Sequence, residues 1–245
     1  MHKPSFLDRF SQDRIFWLVV GVILLAFVLL NARLSASILI SLAALLVAIT
    51  IHECSHAWVA SLLGDPTARL QGRVTLNPLR HLDPLGTVMM LVTTFTGLGI
   101  GWGKPVPVTP YRLKPNPRLG NGIVALSGPA SNLLLGSVLA FLLRFVYSPA
   151  WLVVAIRGLA LINLVIGFFN LIPLPPLDGN SVLIGLLSLS KSRWAFTISE
   201  ALYRMSRYGP ILLFGLIFVA QLFGLNVFGW LAWAPAQALY HAMAG

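Results

Sequence analysis

Between Ile38 and Leu63 the chain is apolar apart from small hydroxyl side chains and one cluster, His52-Glu53-Cys54-Ser55-His56. At about 1.5 Å rise per residue this stretch is roughly 39 Å long, more than the ~30 Å hydrocarbon core of a bilayer, so it predicts a transmembrane helix. Ionisable side chains deep in such a helix cost about 2.5–3.5 kcal/mol each on insertion scales, and three together demand a function. On a helix, His52 and His56 lie one turn apart on one face, where two imidazoles can hold a single zinc ion with Glu53 beside them as a base. The histidines fall in the last third of the stretch, about 10–15 Å below one membrane surface by the same rise. Cys54 points away from the face the histidines share, and as the only cysteine it can form no internal disulfide.

The rest of the chain agrees with a membrane setting: 57% of residues are hydrophobic and 10% charged, and no polar stretch is long enough for a separate soluble module. The expectation is one integral membrane domain over residues 1–245, all-α and polytopic, with a catalytic core at 36–178. A net charge of +10 could suggest nucleic acid as a partner. The basic residues, however, are spread over the loops between apolar runs, which is the pattern of membrane orientation and argues against nucleic acid.

About six transmembrane helices are expected, from the runs Ile15–Leu30, Ile38–Leu63, Ile123–Val146, Trp151–Ile172, Ile211–Leu225 and Val227–Met243. Lys3, Arg9 and Arg14 before the first run resemble the start of a signal peptide, but its apolar core is long and another follows at once, so an uncleaved first span is expected. With six spans, fourteen of the seventeen Lys and Arg fall on one side, the cytoplasmic one. Arg33, Arg144 and Arg157 remain near outer helix ends, where they can snorkel. Gly224 and Asn226 mark a turn between the last two runs, and Trp230 and Trp233 read as interfacial anchors.

Leu85–Ile100 decides the topology, because a crossing there would invert everything after it. It is short, and Val88, Val92, Thr93, Thr94 and Thr96 favour strand, followed by the turn-rich Gly101-Trp102-Gly103-Lys104-Pro105. Residues 69–108 are therefore expected to be short β segments dipping into the cytoplasmic side of the membrane, where protein or a water-filled cavity satisfies their backbone.

Two histidines do not complete a zinc site. The best third ligand is Asp178, in Asn170-Leu171-Ile172-Pro173-Leu174-Pro175-Pro176-Leu177-Asp178-Gly179, where three prolines break the fourth span and can turn a carboxylate inward. The other reading of Asp178 is a simple Asp-Gly turn. Asp178 meets the histidines only if one span intervenes, which again requires Leu85–Ile100 not to cross. Two imidazoles and one carboxylate leave an open position, as in catalytic zinc sites.

These residues resemble the site-2 proteases, zinc intramembrane proteases that cleave membrane-spanning substrates. The likeness rests on His52-Glu53-x-x-His56, on Asn77-Pro78-Leu79-Arg80-His81-Leu82-Asp83-Pro84-Leu85-Gly86, on Gly103-Lys104-Pro105-Val106-Pro107-Val108, on Ser127-Gly128-Pro129-Ala130-Ser131-Asn132 and on Asn170 to Gly179. It covers roughly residues 50–180, and the chain looks like a minimal form without a PDZ or nucleotide-sensing module. Cys54-Ser55 departs mildly from the aromatic-then-small pair common there. The resemblance implies a three-helix catalytic core, one Zn2+ per chain on His52, His56 and Asp178, Glu53 as acid and base, and Asn170 in contact with substrate or stabilising the reacting carbonyl. It also implies a multi-pass protein of a prokaryotic cell membrane, its site toward the cytoplasm, acting on transmembrane proteins. From the residues alone, Asn170 could equally link helices, Asn132 reads as structural within a small-residue helix entrance, and His81 and Asp83 read as turn-fixing.

A transmembrane helix shields its own peptide bonds, so a substrate must unwind, and an extended edge within 69–108 could receive it as an added strand. The reading from another class is an ion or proton transporter with an intramembrane His/Glu/Asp site. Transporters usually carry paired repeats, and none is visible here. A protease of prenylated tails would use a Glu or His as third ligand.

Overall fold

A computed structural model describes residues 36–96, 102–147 and 149–245, together with Val22. The expected first span, Ile15–Leu30, lies outside the described residues apart from Val22. Helix α1, Ala36–Leu62, carries the histidines in its last third. It ends at Gly64, whose φ of 103° lets the chain reverse. Asp65, fully buried, then accepts hydrogen bonds from Thr67 N at 3.1 Å and from Thr109 N at 2.6 Å, tying the exit of α1 to the distant segment 102–109. Burial opposes ionisation of Asp65, but the Thr67 hydroxyl, these two N–H groups and nearby Arg112 hold its carboxyl below the ordinary carboxylate range.

After the single-turn helix α2, Thr67–Leu70, the chain forms α3, Pro84–Thr96. This corrects the expected β segments. Asp83 Oδ1 accepts from Gly86 N at 2.8 Å and Pro84 stands at the first helical position, a start signal that outweighs the β preference of the valines and threonines. Among the described residues there is no strand, only an isolated antiparallel bridge between Leu82 and Gly103. The 13 residues of α3 rise only about 20 Å, less than the ~30 Å hydrocarbon core, and residues 97–100 of the expected Leu85–Ile100 segment lie outside the described residues.

Helix α4, Pro117–Leu142, is capped by Asn116, whose Oδ1 accepts from Leu119 N at 2.9 Å. Helix α5 is Ala150–Asn170 and α6 is Asp178–Leu187. Helix α4 is central and packs on α1, α5 and α6. Small residues allow the approach: a Cβ on Gly122 would stand 3.0 Å from Gly185 Cα, and one on Gly136 would stand 2.8 Å from Ala160 O.

Helix α7, Arg193–Ser206, and helix α8, Gly209–Leu222, meet at 86°. A turn at Gly224, with φ 66°, and a π-helical turn at Gly229–Trp233 lead into α9, Ala234–Ala244, which closes over Ala160 and Leu164 of α5 through Ala236 and Tyr240. Among the described residues, α1, α4 and α5 are long and apolar enough to cross a membrane, and α7 with α8 would make a fourth, bent crossing. This is fewer than the five spans expected there. The 14 residues of α8 rise about 21 Å, and the last run is divided between a π turn and a short helix.

Candidate metal centre

His52 and His56 project from α1 toward α4 and are nearly buried. Each ring has one nitrogen fixed by α4. His52 Nδ1 lies 2.7 Å from Asn132 Oδ1, and His56 Nδ1 lies 2.7 Å from the Val124 carbonyl oxygen. Both partners are acceptors, so each Nδ1 is the donor, which leaves each Nε2 as the nitrogen that can offer a lone pair to a metal ion. Asn132 has its orientation set in turn: its Nδ2 donates to Ala48 O at 3.1 Å and to Asn163 Oδ1 at 2.8 Å, while Asn163 Nδ2 donates to Leu159 O at 2.8 Å. Three apolar helices are thus joined by one chain of buried amides, each of whose hydrogen bonds is defined.

Both Nε2 atoms face the same carboxylate. Asp178 Oδ2 is 2.9 Å from His52 Nε2 and 3.3 Å from His56 Nε2. Asp178 opens α6, immediately after the proline-rich turn that follows α5. Gly179 makes this possible, since a Cβ there would collide with the carbonyls of Leu171 and Ile172. The three candidate ligand atoms lie within 4.8 Å of one another. Gly128 leaves room beneath the rings, because a Cβ there would come within 2.5 Å of His56 Nε2 and 2.7 Å of His52 Nε2. The donor set therefore fits zinc: two imidazoles of fixed tautomer, one carboxylate, and orienting partners behind both rings.

Comparison with known proteins agrees. The model of peptidase family M50 matches residues 148–214, which include α5 and Asp178. "Putative zinc metalloprotease YwhC" of Bacillus subtilis is 42% identical over 152 residues, 58% of this chain and 67% of that protein. Rip2 of Mycolicibacterium smegmatis, named in the same way, is 32% identical over 143 residues, and the match spans only about half of it, 53%. MJ0611 of Methanocaldococcus jannaschii, again a zinc metalloprotease by name, is 32% identical over 183 residues, 71% of this chain and 85% of that protein. The chain belongs to peptidase family M50. No solved structure gives a significant match. As a member of M50, the site-2 proteases, it is a zinc metalloprotease embedded in the membrane by apolar helices.

The M50 chain places a second set of residues around Glu53 that sequence patterns do not reveal. A Cβ on Gly103 would stand 3.1 Å from Glu53 Oε1 and 2.8 Å from Ile49 Cγ2, so the 102–109 segment passes directly over the carboxylate. Arg73, only 4% exposed, donates through Nη2 to the Lys104 carbonyl and so holds that segment in place. Burial pushes its guanidinium below the ordinary arginine range, and the charge of Glu53 pulls it back up. Lys104 N donates to His81 O at 2.6 Å. The fully buried His81 ring lies 2.7 Å from Thr75 O through Nε2, and burial, with the charge of Arg73, disfavours its protonation.

Two other expectations are refined. Asn132, read from sequence as structural, is the residue that orients His52. Asn170 sits at the last position of α5, with Nδ2 donating to Ile166 O of its own helix at 3.0 Å, and its amide oxygen has no protein partner among the described residues. The intramembrane asparagine was itself the available signal for Asn132. Nothing in the sequence pattern marks Arg73 as buried.

Proposed function

We propose that this protease is an intramembrane endopeptidase that hydrolyses peptide bonds in or near the transmembrane segments of other membrane proteins, with His52, His56 and Asp178 as zinc ligands and Glu53 as acid and base. The observation carrying the reading is that both Nε2 atoms, on a helix long enough to cross a bilayer, converge with one Asp178 oxygen next to Glu53. Zinc, when bound, supplies Lewis acidity that polarises a carbonyl and lowers the pKa of water toward neutrality. Asn132 and Val124 keep both Nε2 lone pairs directed at the ligand position. Glu53 Oε1 takes a proton during attack and returns it to the nitrogen of the leaving chain. Asn170, through its amide oxygen, contacts the unwound substrate.

The substrate adds as a strand to the extended segment 102–109. In extended chain, alternate N–H groups point the same way. Lys104 uses its own toward His81, so Val106 and Val108 present theirs on that same edge, and among the described residues neither has a partner. Pro105 and Pro107 have no N–H, which makes the opposite edge a poor template. The grouping of Lys and Arg supports an orientation with this edge and the zinc site toward the cytoplasm, and the bacterial and archaeal relatives support a prokaryotic cell membrane.

The test is cleavage of purified single-span substrates in proteoliposomes, with the cut site mapped by mass spectrometry. Cuts within or at the border of the membrane segment are expected, and Asp178→Ala is expected to abolish them together with stoichiometric zinc. Cuts confined to soluble loops would overturn the intramembrane reading.

A further inference from the structure

Helix α7 carries three lengthwise strips, with the exposed Phe196 and Tyr203 between the buried strip and the basic one. Ala195 and Ser199 are buried against the protein, where the helix packs on α6. Trp194, Ile198 and Met205 recur at helical spacing on a second strip and are 61%, 43% and 40% exposed. Arg193, Arg204 and, just past the helix, Arg207 form the third with Thr197 and Glu200. Glu200 is already paired with Arg118 of α4, whose guanidinium also lies 5.3 Å from the centre of the Phe196 ring. Among the described residues, no carboxylate lies within ion-pair distance of Arg193, Arg204 or Arg207.

The geometry of the next helix identifies the occupant. Helix α8 is apolar and turns away from α7 at 86°. With α8 directed into hydrocarbon, α7 runs close to the membrane plane. An in-plane helix with an aromatic-containing apolar strip and an arginine strip matches a bilayer interface bearing negative charge.

We infer that α7 is an interfacial helix whose arginine strip binds the headgroups of anionic phospholipids while Trp194, Ile198 and Met205 enter the acyl boundary. The Arg118–Glu200 pair ties this lipid-binding helix to the amino-terminal end of α4, the helix that orients both zinc-site imidazoles.

The experiment uses the full chain in vesicles of phosphatidylcholine, alone or mixed with phosphatidylglycerol. The Trp194 signal, taken as the difference between the parent and Trp194→Phe, should be quenched by lipid brominated near the glycerol end of its acyl chains and not by aqueous acrylamide. Spin-labelled phosphatidylglycerol should be enriched over phosphatidylcholine around the parent, and Arg193→Gln/Arg204→Gln/Arg207→Gln should lower that enrichment by up to about fivefold per arginine. Quenching by acrylamide alone would place the strip in water and overturn the proposal. Quenching by neither agent would mean that protein, such as a second copy, covers the strip, and would also overturn it. So would the absence of phosphatidylglycerol enrichment around the parent. If the triple variant does not assemble, the depth and enrichment measured on the parent decide the matter.

Discussion

Asn132 Oδ1 lies 2.7 Å from His52 Nδ1, so a fully buried amide on α4 sets the tautomer of a histidine on α1. Leucine has the same branched shape and removes the acceptor, together with the Nδ2 bonds to Ala48 O and Asn163 Oδ1. Asn132→Leu is expected to weaken zinc binding by about 10–100-fold, as loss of an orienting partner typically does, measured by chelator competition. Unchanged affinity would show that the ring is oriented by something else.

Gly128→Ala separates site geometry from helix stability. Alanine is favoured over glycine in a helix by about 1 kcal/mol, yet the added Cβ would come within 2.5 Å of His56 Nε2. Expected is a folded protein with little or no bound zinc and no cleavage, read by metal analysis and thermal unfolding on the same sample.

The free edge of residues 102–109 makes an asymmetric prediction. Val106→Pro removes an N–H from the edge assigned to substrate and should slow cleavage of a transmembrane substrate by about tenfold, the equivalent of one hydrogen bond of about 1.4 kcal/mol, with zinc content unchanged. Pro105→Ala, on the opposite edge, should leave the rate within about twofold of the parent on the same scale. Equal effects from the two substitutions would remove the case for strand addition on this edge.

Asp65 gives a pH dependence with a definite sign. Its carboxyl titrates below the ordinary value when folded, so its stabilising contribution is complete above the unfolded pKa of about 4 and is lost as pH falls through the folded value. Asp65→Asn should be less stable than the parent at neutral pH, and the gap should narrow on acidification below about pH 4, followed by thermal unfolding in detergent. A gap that widens on acidification would contradict the assigned sign.

The meeting of His52, His56 and Asp178 was legible because metal spacing on a helix and a proline-broken span are both local patterns. His52, His56 and Asp178 meet as their spacing and topology required. Helix α3 is hard to read from sequence because Val and Thr carry strand preference, while its start signal, Asp83-Pro84, equally suits a loop. The partners of the imidazoles were less legible. The Val124 carbonyl has no sequence signature, and Asn132 becomes an orienting group only when α4 packs on α1. Arg73 is a loop cation whose burial depends on two remote segments closing over Glu53. The run Ile211–Leu225 reads as a full crossing by composition, but its helix α8 has only 14 residues, and Val227–Met243 is divided between a π turn and a short helix.

The most direct measurement is the cleavage rate of a transmembrane substrate in proteoliposomes by Glu53→Gln, with its zinc content determined on the same preparation. Loss of a general acid and base predicts zinc retained at one ion per chain and a rate at least about 10²-fold below the parent. Cleavage at the parent rate by the zinc-loaded variant would contradict the role of Glu53 and, with it, the proposed mechanism.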